Sequence, residues 1–92
     1  MAAILLPDTM IDSREDSQVE LIPRYKIIFL NDDVTTMDIV VKILIMVFKK
    51  DKMNAVRLML EVHHNGAAVV DVLPLEQAEL RQLQTHSMAQ KE

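Results

Sequence analysis

The sequence has no cysteine and only one glycine in 92 residues. Lacking cysteine, it cannot build disulfide frameworks, thiolate zinc sites or cysteine nucleophiles. One glycine is too few for the glycine-rich loops that cradle phosphates. Cationic residues are in the minority, and the formal net charge of −4 argues against a basic face for nucleic acid. No apolar run reaches membrane-spanning length. The opening Met1-Ala2-Ala3-Ile4-Leu5-Leu6 has no cationic n-region, which makes it a poor signal peptide. Neither a Ser-His-Asp set nor a paired-carboxylate constellation is present, so no catalysis and no cofactor are expected. These absences leave a cytoplasmic domain without a membrane or nucleic-acid partner.

Half of the residues are hydrophobic, enough for a core without metals or disulfides. Residues 1–22 show no sustained period and include Pro7 and the polar run Asp12-Ser13-Arg14-Glu15-Asp16-Ser17-Gln18, so a flexible N-terminal extension is expected there. The domain is expected over 23–92. Arg24 to Leu30 is rich in β-branched and aromatic residues and stops at Asn31-Asp32-Asp33, which predicts a strand running into a turn. Thr35 with Asp38 resembles a capping box. Met37, Val40, Val41, Leu44, Ile45 and Phe48 then recur at helical spacing, with Lys49 and Lys50 at the far end.

A second helix, capped by Asp51, carries Ala55, Leu58, Met59 and Val62 on its apolar side and ends at Gly66, where a left-handed stop is needed. Ala67 to Val72 predicts a second strand. Pro74 opens a third helix with Leu75, Ala78, Leu80 and Leu83 on an imperfect apolar side. The expected fold is α+β in the order β-α-α-β-α, with helices packed on an antiparallel sheet. Two strands make a marginal sheet.

Tyr25-Lys26-Ile27-Ile28-Phe29-Leu30-Asn31-Asp32-Asp33-x-Thr35-x-Met37 and Leu58-Met59-Leu60-x-Val62-His63-x-x-Gly66-x-Ala68 resemble the bacterial ClpS family. These are adaptors that deliver N-degron substrates to the AAA+ protease ClpAP. The stretch Glu76-x-Ala78-Glu79-x-Arg81 is similar to the family's Glu-x-Ala-Glu-x-Lys. The resemblance covers about residues 24 to 90.

The resemblance implies that Asn31, Asp32 and His63 bind the substrate's α-amino group, with Asp33 and Thr35 at the pocket mouth. Met37, Val40, Ile43, Met59 and Val62 would hold an N-terminal Leu, Phe, Tyr or Trp side chain. Glu76, Glu79 and Arg81 would dock on the N-terminal domain of a ClpA-type unfoldase, the adaptor acting as a monomer. The chemistry suits these roles. An ammonium carries three donors and needs fixed acceptors, and flexible Met side chains adapt to varied partners. Adjacent His63 and His64 diverge by about 100° on a helix and do not readily share a metal ion.

The chain departs from the family at Val34, where many relatives carry an aromatic, at Thr36, where they often carry Pro, and at Ala67, a commonly basic position. Val34 and Thr36 flank the pocket entrance, so preferences beyond the first substrate residue are expected to differ. The family's C-terminal strand, which adds an apolar residue to the pocket wall, is missing. Truncation, a strand supplied by the extension (for example Val19 to Ile22) and a smaller sheet are the competing explanations, with truncation and reduced stability the expectation. The other functional class is a docking domain resembling the ribosomal stalk protein's C-terminal domain, which has a related fold and no N-degron pocket.

Overall fold

The computed structural model describes residues 1–8 and 22–91. Six elements follow in order: β1 (Ala2–Pro7), β2 (Arg24–Leu30), α1 (Met37–Met46), α2 (Lys52–Asn65), β3 (Ala67–Pro74) and α3 (Leu75–Lys91). The α+β class and the run from β2 to α3 match the sequence expectation. The difference lies at the N-terminus. Residues 2–7, expected as part of a flexible extension, form the third strand of the sheet, whereas Val19 to Leu21 lie outside the described residues.

The physical reason is the apolar run Ala2 to Leu6, which buries itself by pairing with β2. β2 is the central strand, antiparallel to β1 on one side and to β3 on the other. Ala3 pairs with Phe29 and Leu5 with Ile27, so the face carrying Ala3 and Leu5 meets the helices. Ala3, Ile27 and Phe29 are fully buried. A central β2 flanked on both sides gives a sheet of three strands, past the marginal two-stranded case. The β2–β3 register steps between Ile27 and Ile28, a β-bulge that leaves Val70 as the extra residue, still buried.

β1 is an edge strand, and α3 covers its outer side. The Ala3 N–H donates to His86 Nε2 (3.1 Å) and Gln82 Nε2 donates to the Ala3 carbonyl (2.7 Å). Side chains thus satisfy backbone groups that an exposed edge would offer to another chain. Only Ala78 and Thr85 of α3 are buried, Thr85 donating to the Arg81 carbonyl at 2.8 Å. Leu75, Leu80 and Leu83, expected on the apolar side, are largely exposed. The helix instead presents Ala78, Gln82, Thr85, His86 and Ala89, whose small or polar side chains allow close approach to β1.

α1 and α2 pack their buried residues, Val40, Ile43 and Leu44 with Ala55, Leu58 and Val62, over β2 and β3. Phe48 meets Phe29 edge-on, with ring centroids 5.5 Å apart. α1 ends at Met46, earlier than its apolar period implies. Lys49 adopts φ 59° and the Lys50 N–H returns to the Leu44 carbonyl at 3.1 Å, a left-handed helix stop made without glycine. Lys49 and Lys50 therefore lie beyond the helix. No helix among the described residues is long and apolar enough to cross a membrane.

The strand role of residues 2–7 has a direct test in neighbouring positions. Ala3→Asn, placing an amide in the core, is expected to cost about 1–3 kcal/mol. The same change at exposed Ala2 should stay within about 0.5 kcal/mol. Equal thermal midpoints for the two variants would mean that the segment does not pack in this register.

Candidate functional site

The site lies where the β2–α1 loop meets the last turn of α2. Two backbone features bring them together. Gly66 stops α2 in the left-handed conformation (φ 85°), its N–H donating to the Val62 carbonyl at 2.9 Å. The Gly66 carbonyl then accepts the Asn31 N–H at 2.9 Å, fixing the end of β2 beside the end of α2. A Cβ at Gly66 would meet nothing within 4 Å, so glycine is needed there for its backbone freedom rather than for space.

The loop is organised by Asp32. Its Oδ1 accepts the N–H groups of Val34 (3.1 Å) and Thr35 (2.8 Å), and its Oδ2 accepts the Thr35 hydroxyl (3.4 Å). This is Asx-turn chemistry, which closes the loop on itself. Thr36, rather than Thr35, caps α1, accepting the Ile39 N–H at 3.3 Å. The capping box inferred from Thr35 and Asp38 does not form: the Thr35 hydroxyl is committed to Asp32, the cap lies one residue later, and the residue three beyond it, Ile39, has no side-chain acceptor to complete a box. At α2, Asp51 occupies the N-cap position but its carboxylate accepts from the Asn54 side chain instead of a backbone N–H.

From this frame Met37 and Val40 project from the first turn of α1, and Met59, Val62 and His63 from α2 at spacings of three and four, which share a helix face. They line a cavity of about 280 Å³ together with Asn31, Asp32, Asp33, Thr35 and Thr36. Val40 and Val62 are buried at its floor, Met59 is half-buried, and Met37 stands 43% exposed at the edge. Asn31 and His63 are exposed, so an amide and an imidazole border an apolar floor. The cavity joins nine of the ten residues inferred for the amine site, mouth and side-chain pocket. Ile43 is the exception: it is fully buried in the core and does not line the cavity, because its face of α1 turns toward the sheet. Thr36 takes a place in the lining that the sequence reading did not give it.

Met1 was also missed. Its ammonium lies 2.9 Å from Asp32 Oδ2, a contact across 31 positions that exists only because β1 pairs with β2. The Met1 ammonium, followed by the Thr35 N–H, lowers the Asp32 pKa to about 2. The second member of the histidine pair, His64, is exposed, its ring edge-on to that of His63 with centroids 5.4 Å apart. Glu76 and Glu79 are exposed on α3, and half-buried Arg81 donates to Gln84 Oε1 at 3.1 Å. None of these three lines the cavity.

The architecture is that of a small α+β domain, and comparison places it in a family. Residues 21–92 match the family described as ATP-dependent Clp protease adaptor protein ClpS. The chain belongs to the ClpS family. It is 42% identical over 81 residues to the ATP-dependent Clp protease adapter protein ClpS of Bdellovibrio bacteriovorus, spanning 82% of this chain and 71% of that protein. Identity to the Nautilia profundicola ClpS is 41% over 78 residues, 83% of this chain and 80% of the relative. Among solved structures, Agrobacterium tumefaciens ClpS2 bound to L-phenylalaninamide superposes with a TM-score of 0.71 at 31% identity, covering 74% of this chain and 82% of that one.

The depressed Asp32 pKa gives a pH-dependent stability of defined sign. A carboxyl with a folded pKa below its unfolded value stabilises above the ordinary aspartate pKa of 3.8, and loses that contribution as pH falls toward about 2. Asp32 is a third exposed, so solvent screening limits the effect. Asp32→Asn is expected to cost about 0.5–1 kcal/mol at pH 7. The difference between the wild-type and variant thermal midpoints should close as pH drops from 3.8 to about 2. A difference independent of pH would rule out the charge as its source.

Proposed function

We propose that this chain is a non-enzymatic, monomeric cytoplasmic adaptor that reads N-degrons. It recognises an N-terminal Leu, Phe, Tyr or Trp by its side chain and free α-amino group. The observation that carries this reading is the convergence of neutral acceptors, Asn31 and His63, on a small cavity floored by Val40, Met59 and Val62. A ligand matching both halves carries one small cation beside one apolar group. The Agrobacterium relative whose structure holds L-phenylalaninamide, a compound with an α-amino group beside an aromatic side chain, supports the same reading.

The energetics suit a carrier. Burying a Leu or Phe side chain supplies roughly 1.5–3 kcal/mol, and the amine adds charge-assisted hydrogen bonds to neutral acceptors. Asp33 adds favourable negative potential at the mouth, the charge of Asp32 being paired with the Met1 ammonium. Met37 stands at the edge where it can exclude β-branched residues. Delivery would use the α3 surface of exposed Glu76 and Glu79 with half-buried Arg81, docked on the N-terminal domain of a ClpA-type unfoldase. That surface lies off the cavity, which leaves substrate and unfoldase free to bind together.

Fluorescence anisotropy with a labelled peptide beginning in Leu, beside its N-acetylated twin, tests the reading. Acetylation removes the charge and two donors, so the free amine should bind more tightly by about 2 kcal/mol, or roughly 30-fold. Equal affinities would refute amine recognition. Removing the imidazole acceptor in His63→Ala should weaken binding of the free-amine peptide while leaving its acetylated twin unchanged. An unchanged free-amine affinity would remove His63 as a direct ligand.

A further inference from the structure

We infer that the Met1 ammonium competes in cis with the substrate's α-amino group, holding N-degron affinity below what the site can reach; this rests on the N-degron reading above. Met1 carries both features that the site is proposed to read, a free α-ammonium and an unbranched apolar side chain. Both are already satisfied within the chain. The ammonium lies 2.9 Å from Asp32 Oδ2, and the Met1 side chain is 2% exposed. That side chain is packed against the core, in the lining of a cavity of about 620 Å³ beside the site.

Asp32 is where the two amines would meet. It lines the 280 Å³ cavity together with Asn31 and His63, whereas Met1 lines the larger cavity and not the smaller. Oδ1 of Asp32 is committed to the Val34 and Thr35 N–H groups. Besides Met1, the contact of Oδ2 among the described residues is the Thr35 hydroxyl at 3.4 Å, which is long for a hydrogen bond between oxygens. Oδ2 is thus the atom that a second ammonium would use, and Met1 holds it. The Met1 ammonium is the foremost cause of the fall in the Asp32 pKa to about 2, so at neutral pH the carboxylate is ionised and already paired.

The competitor is held where it acts. Residues 2–7 pair with β2, and Gln82 and His86 bond the backbone of Ala3, so Met1 is presented to Asp32 at a high effective concentration. A cation in contact with Asp32 cancels the attraction that this carboxylate would exert on an incoming amine. The effect falls on the part of the ligand that all free N-termini share. It lowers their affinity together and leaves the apolar floor of Val40, Met59 and Val62 to choose among them.

Anisotropy with a labelled peptide beginning in Leu, and with its N-acetylated twin, tests this on the full chain prepared with a free or an acetylated Met1 α-amino group. A second variant, with Gly-Gly placed before Met1, keeps the positive charge but moves it off Asp32. Both altered chains should bind the free-amine peptide about three- to tenfold more tightly than the unaltered chain, and the gain should shrink with added salt. In an Asp32→Asn background neither alteration should change the affinity. Unchanged or weaker binding by the altered chains, or the same gain in Asp32→Asn, with the acetylated peptide still excluded, overturns the competition and leaves N-degron recognition standing. Free and acetylated peptides binding alike to every form of the chain, or neither binding, overturns both readings.

Discussion

One hydrogen bond, from the Asn31 N–H to the Gly66 carbonyl, sets the geometry of the site. Asn31 ends the central strand and Gly66 ends the second helix, so this bond joins the two places where regular structure stops. It works only if α2 terminates sharply, and the left-handed Gly66 provides that stop. A helix running one residue further would turn the carbonyl along its own axis and carry His63 away from Asn31. The amide and the imidazole are neighbours because one residue lacks a Cβ.

The second dependence runs through the edge of the sheet. β2 cannot hold Ile27 and Phe29 out of water with β3 alone, and the strand that closes its other side is Ala2–Pro7. Two consequences follow from that pairing. It creates an edge, which Gln82 and His86 cover by bonding the backbone of Ala3. It also carries Met1 to the β2–α1 loop, where its ammonium meets Asp32. The loop is thus held from inside by N–H groups of Val34 and Thr35 and from outside by the N-terminal strand. Sheet completion and loop order are coupled through one carboxylate.

The sequence made most of β2, α2 and β3 legible, because each has local signals: a β-branched run ending in Asn-Asp-Asp, an apolar period ending at a lone glycine, and the valine-rich stretch after it; Pro74, expected to open the third helix, instead ends β3. The pocket residues came from the family resemblance, with spacings of three and four on α1 and α2 adding only that Met37 and Val40, and Met59, Val62 and His63, can share a face. Ile43 shows the limit of that reasoning. It sits three residues after Val40, but only packing decides that Val40 reaches the cavity while Ile43 enters the core. β1 was not legible for a different reason. Six residues, uniformly apolar up to a terminal Pro7, carry no alternation and little local preference. Their strand state comes from long-range pairing with β2, as the context dependence of β propensity implies.

Asp32 and Asp33 are adjacent acids with different work. Asp32 already holds four partners: two backbone N–H groups, a hydroxyl and an ammonium. A carboxylate so occupied is better placed to hold a loop than to capture a second cation, since every new donor must displace an existing one. On the proposed reading, direct capture of the substrate amine then falls to Asn31 and His63, which are neutral and accept without a strong field. Neutral acceptors favour a bound ammonium less than a carboxylate does, so more of the binding energy must come from the first side chain on its apolar floor. That division makes the apolar side chain decisive. Every unblocked chain presents an α-amino group, but only some present a side chain that fills the cavity between Met37 and Val62.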